Sequence, residues 1–295
     1  MTTKEEDEIE HLLTATTHDL VLFFTNKGRV FGTKAWEIPE TSRQAKGQAL
    51  VNLLNLEQGE EIRSILPLAK GAGKYLILTT ASGIVKKTPL SEYENLRASG
   101  LIAVRLRGED SLVSAHITRG DDHILMITKK GKAIRFPETN ARPMGRATSG
   151  VTGMKMDAGD EVIVAEVFPA KEKKSKDKRR KVFRDILTIS EKGLGKRTHV
   201  HLFPVQKRAG KGVKAAVTNP RTGELASAIM VTEKIDQVVI TSKSGQVIKL
   251  PVKNIPPLGR ATQGVILMRF ANKSDSVAAC ACLEKEAVTD QEPTP

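Results

Sequence analysis

Basic residues recur in register along this chain. A glycine follows an apolar run at five places, Gly28, Gly83, Gly131, Gly193 and Gly245. Four residues beyond it stand Lys87, Arg135, Arg197 and Lys249; the first repeat has Gly32 there. A second glycine comes later, at Gly47, Gly100, Gly150, Gly212 and Gly264, and five residues after it stand Arg105, Lys155 and Arg269, with Asn52 and Val217 in the other two repeats. A cation at the same place on successive units makes a stripe. Such a stripe suits a polyanion that presents phosphates at regular intervals, and it needs no base readout. One such residue alone is an ordinary solvent-facing strand residue; four in register are expected to line a rim.

The approach to the second glycine holds further cations. Arg43, Arg146, Arg208 and Arg260 stand four residues before it, and Arg97 three before it in the second repeat. Arg146 to Gly150, Arg208 to Gly212 and Arg260 to Gly264 combine an arginine with small residues. Small residues let a backbone come close, and exposed amides with an arginine hold phosphate well. The same composition also fits a turn shaped by glycine in which the arginine caps carbonyls, and both roles are compatible. Lys207, Arg208 and Lys211 form the densest such cluster.

Other chemistry is excluded by what is missing. There is no Gly-Lys-Ser/Thr phosphate loop, no Gly-x-Ser-x-Gly and no convincing carboxylate pair. His199 and His201 lack further ligands for a metal and read as surface residues. Cys280 and Cys282, two residues apart on a strand, suit neither a structural disulfide nor zinc. Tyr75 and Tyr93 read as packing residues. No catalytic residue, metal or cofactor is expected. The formal charge of +13, from 47 Lys+Arg against 34 Asp+Glu, points to a polyanionic partner. With one Trp (Trp36), two Tyr and eight Phe, bases have few rings to stack on, which favours duplex over single-stranded DNA.

The elements that must carry these residues follow from the glycines. The turns Asn26-Lys27-Gly28, Ala81-Ser82-Gly83, Lys129-Lys130-Gly131, Glu191-Lys192-Gly193 and Lys243-Ser244-Gly245 read as hairpins, the glycine supplying a positive φ. First glycines are 55, 48, 62 and 52 residues apart, and the second follows after 19, 17, 19, 19 and 19. An apolar strand follows the second glycine, then an acid-bearing turn such as Gly159-Asp160-Glu161, then a closing strand such as Val162 to Ala165. About four strands in a repeat of about 50 residues is the mark of propeller-like blades. The fold expected is all-β, with about five four-stranded blades spanning residues 1–283.

The insertion 171–181 carries eight basic and two acidic residues and reads as a solvated loop. Residues 284–295 read as a disordered acidic tail. Asp7-Glu8-Ile9 resembles Asp160-Glu161-Val162, so the chain is expected to start inside a blade. No run of 18 apolar residues occurs, and the first residues do not form a signal peptide, so a cytoplasmic protein without a membrane role is expected.

Five runs resemble the C-terminal domain of the DNA gyrase A protein: residues 15–19, 51–58, 83–88, 142–146 and 259–265, the last reading Gly-Arg-Ala-Thr-Gln-Gly-Val. The resemblance covers nearly the whole chain. It implies a β-pinwheel, a propeller-like disc whose blades exchange a strand. It also implies a basic rim that wraps duplex DNA for negative supercoiling, with the catalytic part of gyrase A and with gyrase B as partners. The family's Gln-Arg-Arg-Gly-Gly-Lys-Gly box belongs to a first blade that is missing here. Its nearest match is Gln206 to Gly212, Gln-Lys-Arg-Ala-Gly-Lys-Gly, in the fourth repeat. Related readings are the C-terminal domain of the topoisomerase IV A protein and a propeller that serves as a protein scaffold.

Overall fold

Each repeat begins with a hairpin whose turn glycine has a positive φ. Gly193 has φ 76°, and a Cβ there would stand 2.4 Å from the Met268 carbonyl oxygen. The close neighbour is the segment just after a short strand of the next repeat, so the glycine both turns the hairpin and admits its successor.

The structure is a computed structural model. It describes residues 13–284 apart from 41–48, 70, 94–95, 97–98, 171–182 and 273. The basic insertion, the acidic tail, the N-terminal strand match, Arg43 and Arg97 therefore lie outside the described residues. No helix is long and apolar enough to cross a membrane among those described.

The five hairpins form five antiparallel sheets. In the first, β1 (Leu20–Thr25) pairs with β2 (Arg29–Lys34) and with β3 (Ile62–Leu68). Its fourth strand, β6 (Leu101–Ile102), comes from the second repeat. The second blade has β4 (Tyr75–Thr80), β5 (Ile84–Pro89) and β7 (Leu112–Thr118), completed by β10 (Val151–Thr152) of the third repeat. The third has β8 (Asp122–Thr128), β9 (Lys132–Pro137) and β11 (Val162–Pro169), completed by β14 (Val213–Lys214). The fourth has β12 (Arg184–Ser190), β13 (Leu194–His199) and β15 (Leu225–Thr232), completed by β18 (Val265–Ile266). The fifth has β16 (Ile235–Ser242), β17 (Val247–Pro251) and β19 (Val277–Glu284), three strands among the described residues. So the repeat is not the blade. Its two-residue strand leaves for the preceding sheet, and the five expected blades are present, four of them with four strands among the described residues.

The exchange repeats in detail. The Gly28 carbonyl accepts from Ala103 N at 2.8 Å and Val104 N at 3.0 Å, and Gly83, Gly131 and Gly193 accept the same pair from Gly153 and Met154, Ala215 and Ala216, and Leu267 and Met268. Strand alternation sends one face of each hairpin to the preceding blade and the other to the next. Leu22 and Phe24 thus meet Leu76 and Leu78, Ile77 meets Ile124 and Met126, Leu125 and Ile127 meet Ile186, and Leu187 and Ile189 meet Val238 and Ile240. Each fully buried large apolar side chain contributes about 1.5–3 kcal/mol, so these four seams hold the array together.

Candidate nucleic-acid interface

The four cations after the hairpin glycines do not form a solvent-facing stripe. Lys87 and Arg135 are buried, Arg197 is half-buried, and only Lys249 is exposed. This corrects the rim reading for three of the four. The cause is the exchanged segment. The chain leading to the second glycine of the next repeat runs beside them, with parallel bridges Lys87 to Pro143, Arg135 to Val205 and Arg197 to Pro257. Lys249, in the fifth blade, has no such bridge among the described residues.

Each of these three cations has a fixed partner. Lys87 Nζ is 2.9 Å from Glu138 Oε2 and 4.1 Å from the centre of the Tyr75 ring. Glu138 also accepts from Thr118 Oγ1 at 2.8 Å, Gly120 N at 2.8 Å and Asp122 N at 2.9 Å. Burial would raise the Glu138 carboxyl, but Lys87 and these donors outweigh it and hold it below the ordinary value. Arg135 donates to the carbonyls of Val200 (3.0 Å) and Phe203 (3.3 Å) and to His123 Nδ1 (3.0 Å). Arg197 pairs with Asp185 at 3.0 Å and donates to the Ile255 carbonyl at 2.7 Å. These three cations bind the 3₁₀ turn that follows the second strand of the next hairpin. They are structural.

Two buried lysines escaped the sequence reading of the cations. Lys86 donates to the carbonyls of Ala103 and Arg146, and Lys196 to those of Gly259 (2.8 Å) and Arg260 and to Thr262 Oγ1 (3.1 Å). Burial pulls both down to about 8. Each fastens the next repeat's arginine loop to its own blade. Their signal in the sequence was a lysine three residues after the hairpin glycine, present in two repeats of five.

The loop arginines are half-exposed and have a double character. Arg146 donates to the Ile102 carbonyl at 3.2 Å, Arg208 to Thr152 and Asn140 at 3.0 Å each, and Arg260 to Lys214 at 2.8 Å. Each therefore caps the exchanged strand of the preceding repeat. A guanidinium has five N–H donors, so the rest can face solvent.

Arg105, Lys155, Lys207, Lys211, Lys249 and Arg269 are exposed, and among the described residues none of the six forms an ion pair. Three backbone hydrogen bonds link the loops of successive repeats. Arg105 N donates to Thr148 O at 3.0 Å, Lys155 N to Gly210 O at 2.9 Å and Val217 N to Thr262 O at 3.2 Å. Arg105 thus lies against the Arg146 loop, and Lys155 against the loop of Lys207, Arg208 and Lys211. Arg105, Lys155 and Arg269 follow the exchanged edge strand of a sheet, and Lys207 and Lys211 precede one, so these cations flank the edge strands of successive blades. The box-like loop is bent by Ala209, at φ 64° in the left-handed region, where the family's box has a glycine.

No cluster of three or more metal-ligating side chains occurs among the described residues. Cys280 and Cys282 are free thiols on β19, and burial pushes Cys282 up to about 12. His199 and His201 stack on each other, ring centres 4.9 Å apart.

Fold and cation placement together define the class: a propeller of strand-exchanging blades with exposed cations, outside any ion pair among the described residues, beside the exchanged strands. The model of the DNA gyrase C-terminal domain, beta-propeller family matches five times, at residues 19–69, 74–119, 122–169, 184–232 and 236–284, and the chain belongs to that family. It is 39% identical over 275 residues to the DNA gyrase A protein of Salmonella typhimurium, covering 93% of this chain and 30% of that protein. It is 38% identical over 293 residues to the DNA gyrase A protein of Staphylococcus aureus, covering 99% of this chain and 32% of the other. The chain thus spans about a third of the length of these curated relatives. Its fold is similar to a solved DNA gyrase A C-terminal domain, with TM-score 0.73 and 26% identity over 95% of this chain and 88% of that one. It is also similar to the C-terminal domain of DNA topoisomerase IV, with TM-score 0.78 and 24% identity over 91% and 80%.

Proposed function

We propose that the exposed cations beside these edge strands bind and wrap duplex DNA. In this reading the chain is a non-catalytic accessory domain that acts in the cytoplasm with the catalytic part of gyrase A and with gyrase B to support negative supercoiling. The observation that carries it is the set of exposed cations, outside any ion pair among the described residues, beside the edge strands of successive blades. Phosphate contacts of that kind position a duplex without reading its sequence. Arg105, Lys155, Lys207, Lys211 and Arg269 make the free contacts, and Arg146, Arg208 and Arg260 add donors left over from their caps.

The test is duplex binding across salt, with energy-transfer dyes at the two DNA ends. Neutralising Lys155, Lys207 and Lys211 to alanine removes three exposed charges without touching the core. Each phosphate contact contributes about 0.9 to the slope of log affinity against log salt, so the triple variant is expected to lower that slope by about 2.7. The DNA ends should also move apart, since an anchor is lost. An unchanged slope and unchanged end-to-end distance would remove the DNA path from this loop. A flat salt response in the parent protein would favour the scaffold reading.

A further inference from the structure

A cavity of about 910 Å³ opens between the second and third blades, and every residue that lines it is described. It lies beside Tyr75 and Lys87, at the ends of β4 and β5 remote from their turn. Gly83 and the bonded Met154, with Lys155 next in the chain, are at the other end of the blade. A six-residue strand separates the two ends by about 17 Å.

The cavity goes with a difference between seams. At the next two seams an arginine holds the place of Lys87, and Tyr75 stands where those blades have His123 and Asp185, each a partner of that arginine. Arg135 and Arg197 reach carbonyls of the next 3₁₀ turn or its end. The shorter Lys87 instead meets the Glu138 side chain at the start of its 3₁₀ turn, Glu138–Asn140. The room this leaves is walled by Lys87, Tyr75, Thr139 and Ala141.

The mouth carries the groups that hold a phosphate. Lys74 and Arg119 are exposed on its two sides, and neither forms an ion pair among the described residues. Between them the turn at Gly71 to Gly73 brings backbone close. Gly71 has φ 78° with open space where a Cβ would stand, and the Gly73 amide makes no hydrogen bond. Free amides in such a turn, with two cations beside them, make an anion site. Asp121 on the same rim and the Tyr75 hydroxyl, which has no partner among the described residues, suit the hydroxyls of an organic group. The volume lies in the range of about 300–1,000 Å³ usual for small-molecule sites.

We infer that this cavity binds a small organic phosphate about the size of a nucleotide, its phosphate held by Lys74, Arg119 and the Gly73 amide, at a site separate from the DNA contacts. A recessed site of this kind admits a terminal phosphate end-on.

The test is amide resonance spectra of the whole chain, titrated with inorganic pyrophosphate, ADP and adenosine. Pyrophosphate and ADP should shift the amides of Gly71, Gly73 and Gly120 saturably, and adenosine should not. Lys74→Ala/Arg119→Ala changes two exposed side chains. It should keep the parent urea midpoint and weaken both phosphate probes by about tenfold or more, as loss of a charge-assisted hydrogen bond implies. Lys74→Gln repeats the comparison with a side chain of similar length. The double variant should keep the parent salt slope on duplex DNA, and Lys155→Ala/Lys211→Ala should bind the probes as the parent does. No saturable shift at millimolar probe, or shifts centred on the loops of Lys155 and Lys211, would overturn the proposal. So would a lower DNA salt slope in the Lys74/Arg119 variant with the probes displaced by duplex, which would put a DNA phosphate in the cavity.

Discussion

Glu138→Gln separates a structural cation from a DNA contact. Glu138 is fully buried and accepts from Lys87 and three further donors. Glutamine removes the charge and leaves the Lys87 ammonium buried without its counter-ion. Breaking a buried pair by removing one partner costs about 3–5 kcal/mol. At about 2–4 °C per kcal/mol for a domain near this size, Tm should fall by roughly 6–20 °C. Lys87→Met should cost less, because Glu138 keeps three donors, and the double variant should cost less than the sum of the two. The assay is urea denaturation with melting at neutral pH, followed by DNA titration at several salt concentrations below the transition. A folded Lys87→Met protein should keep the parent salt slope. A slope lower by about one unit, with stability unchanged, would refute the structural assignment and return Lys87 to the rim. The sign with pH follows from the lowered carboxyl: its stabilisation is present above the unfolded value and is lost as pH falls through the folded one. The parent should therefore lose more stability on acidification than Glu138→Gln does.

Ala209→Gly should raise stability by about 1 kcal/mol, since glycine occupies the left-handed region without the Cβ penalty; an unchanged urea midpoint would count against strain at this loop. Gly193→Ala should destabilise by more than about 2 kcal/mol, from positive φ and the clash with the Met268 carbonyl, and a near-neutral result in the same assay would contradict the close approach. Lys86 and Lys196 lose their protons near pH 8 when folded and near 10.5 when unfolded, so the unfolded chain binds more protons between these values. Their contribution to stability should therefore rise with pH across that window, and a Lys86→Met/Lys196→Met variant should lack the rise in urea midpoints.

The five hairpins were legible because glycine is demanded at each turn, and its spacing survives differences elsewhere. The fate of the short strand was not legible from spacing. Leu101–Ile102 has the composition of any apolar strand, and only its pairing with Arg29 and Val30 shows that it leaves its own repeat. The same cause defeated the cation stripe. Register along the chain correctly grouped Lys87, Arg135 and Arg197, but register does not say which face a later segment will cover. A usable signal lay in their partners: Glu138 seven residues after Gly131, and Asp185 at the start of the fourth hairpin. The loop arginines were read with both roles open, and the carbonyl-capping role is present in the structure for Arg146, Arg208 and Arg260.

Because four of the five blades borrow their last strand from downstream, synthesis and completion are out of step. Arg29 reaches the Ser99 carbonyl 70 positions later, and Lys86 reaches that of Arg146 60 positions later. At roughly 5–20 residues per second, a hairpin that has left the ribosome waits about 3–14 s for the strand that seals its edge. During that interval the edge offers unpaired N–H and C=O groups to any extended chain nearby. The turn glycine's carbonyl and the half-finished seam are then a vulnerability of the nascent chain, and one that passes from blade to blade as translation proceeds.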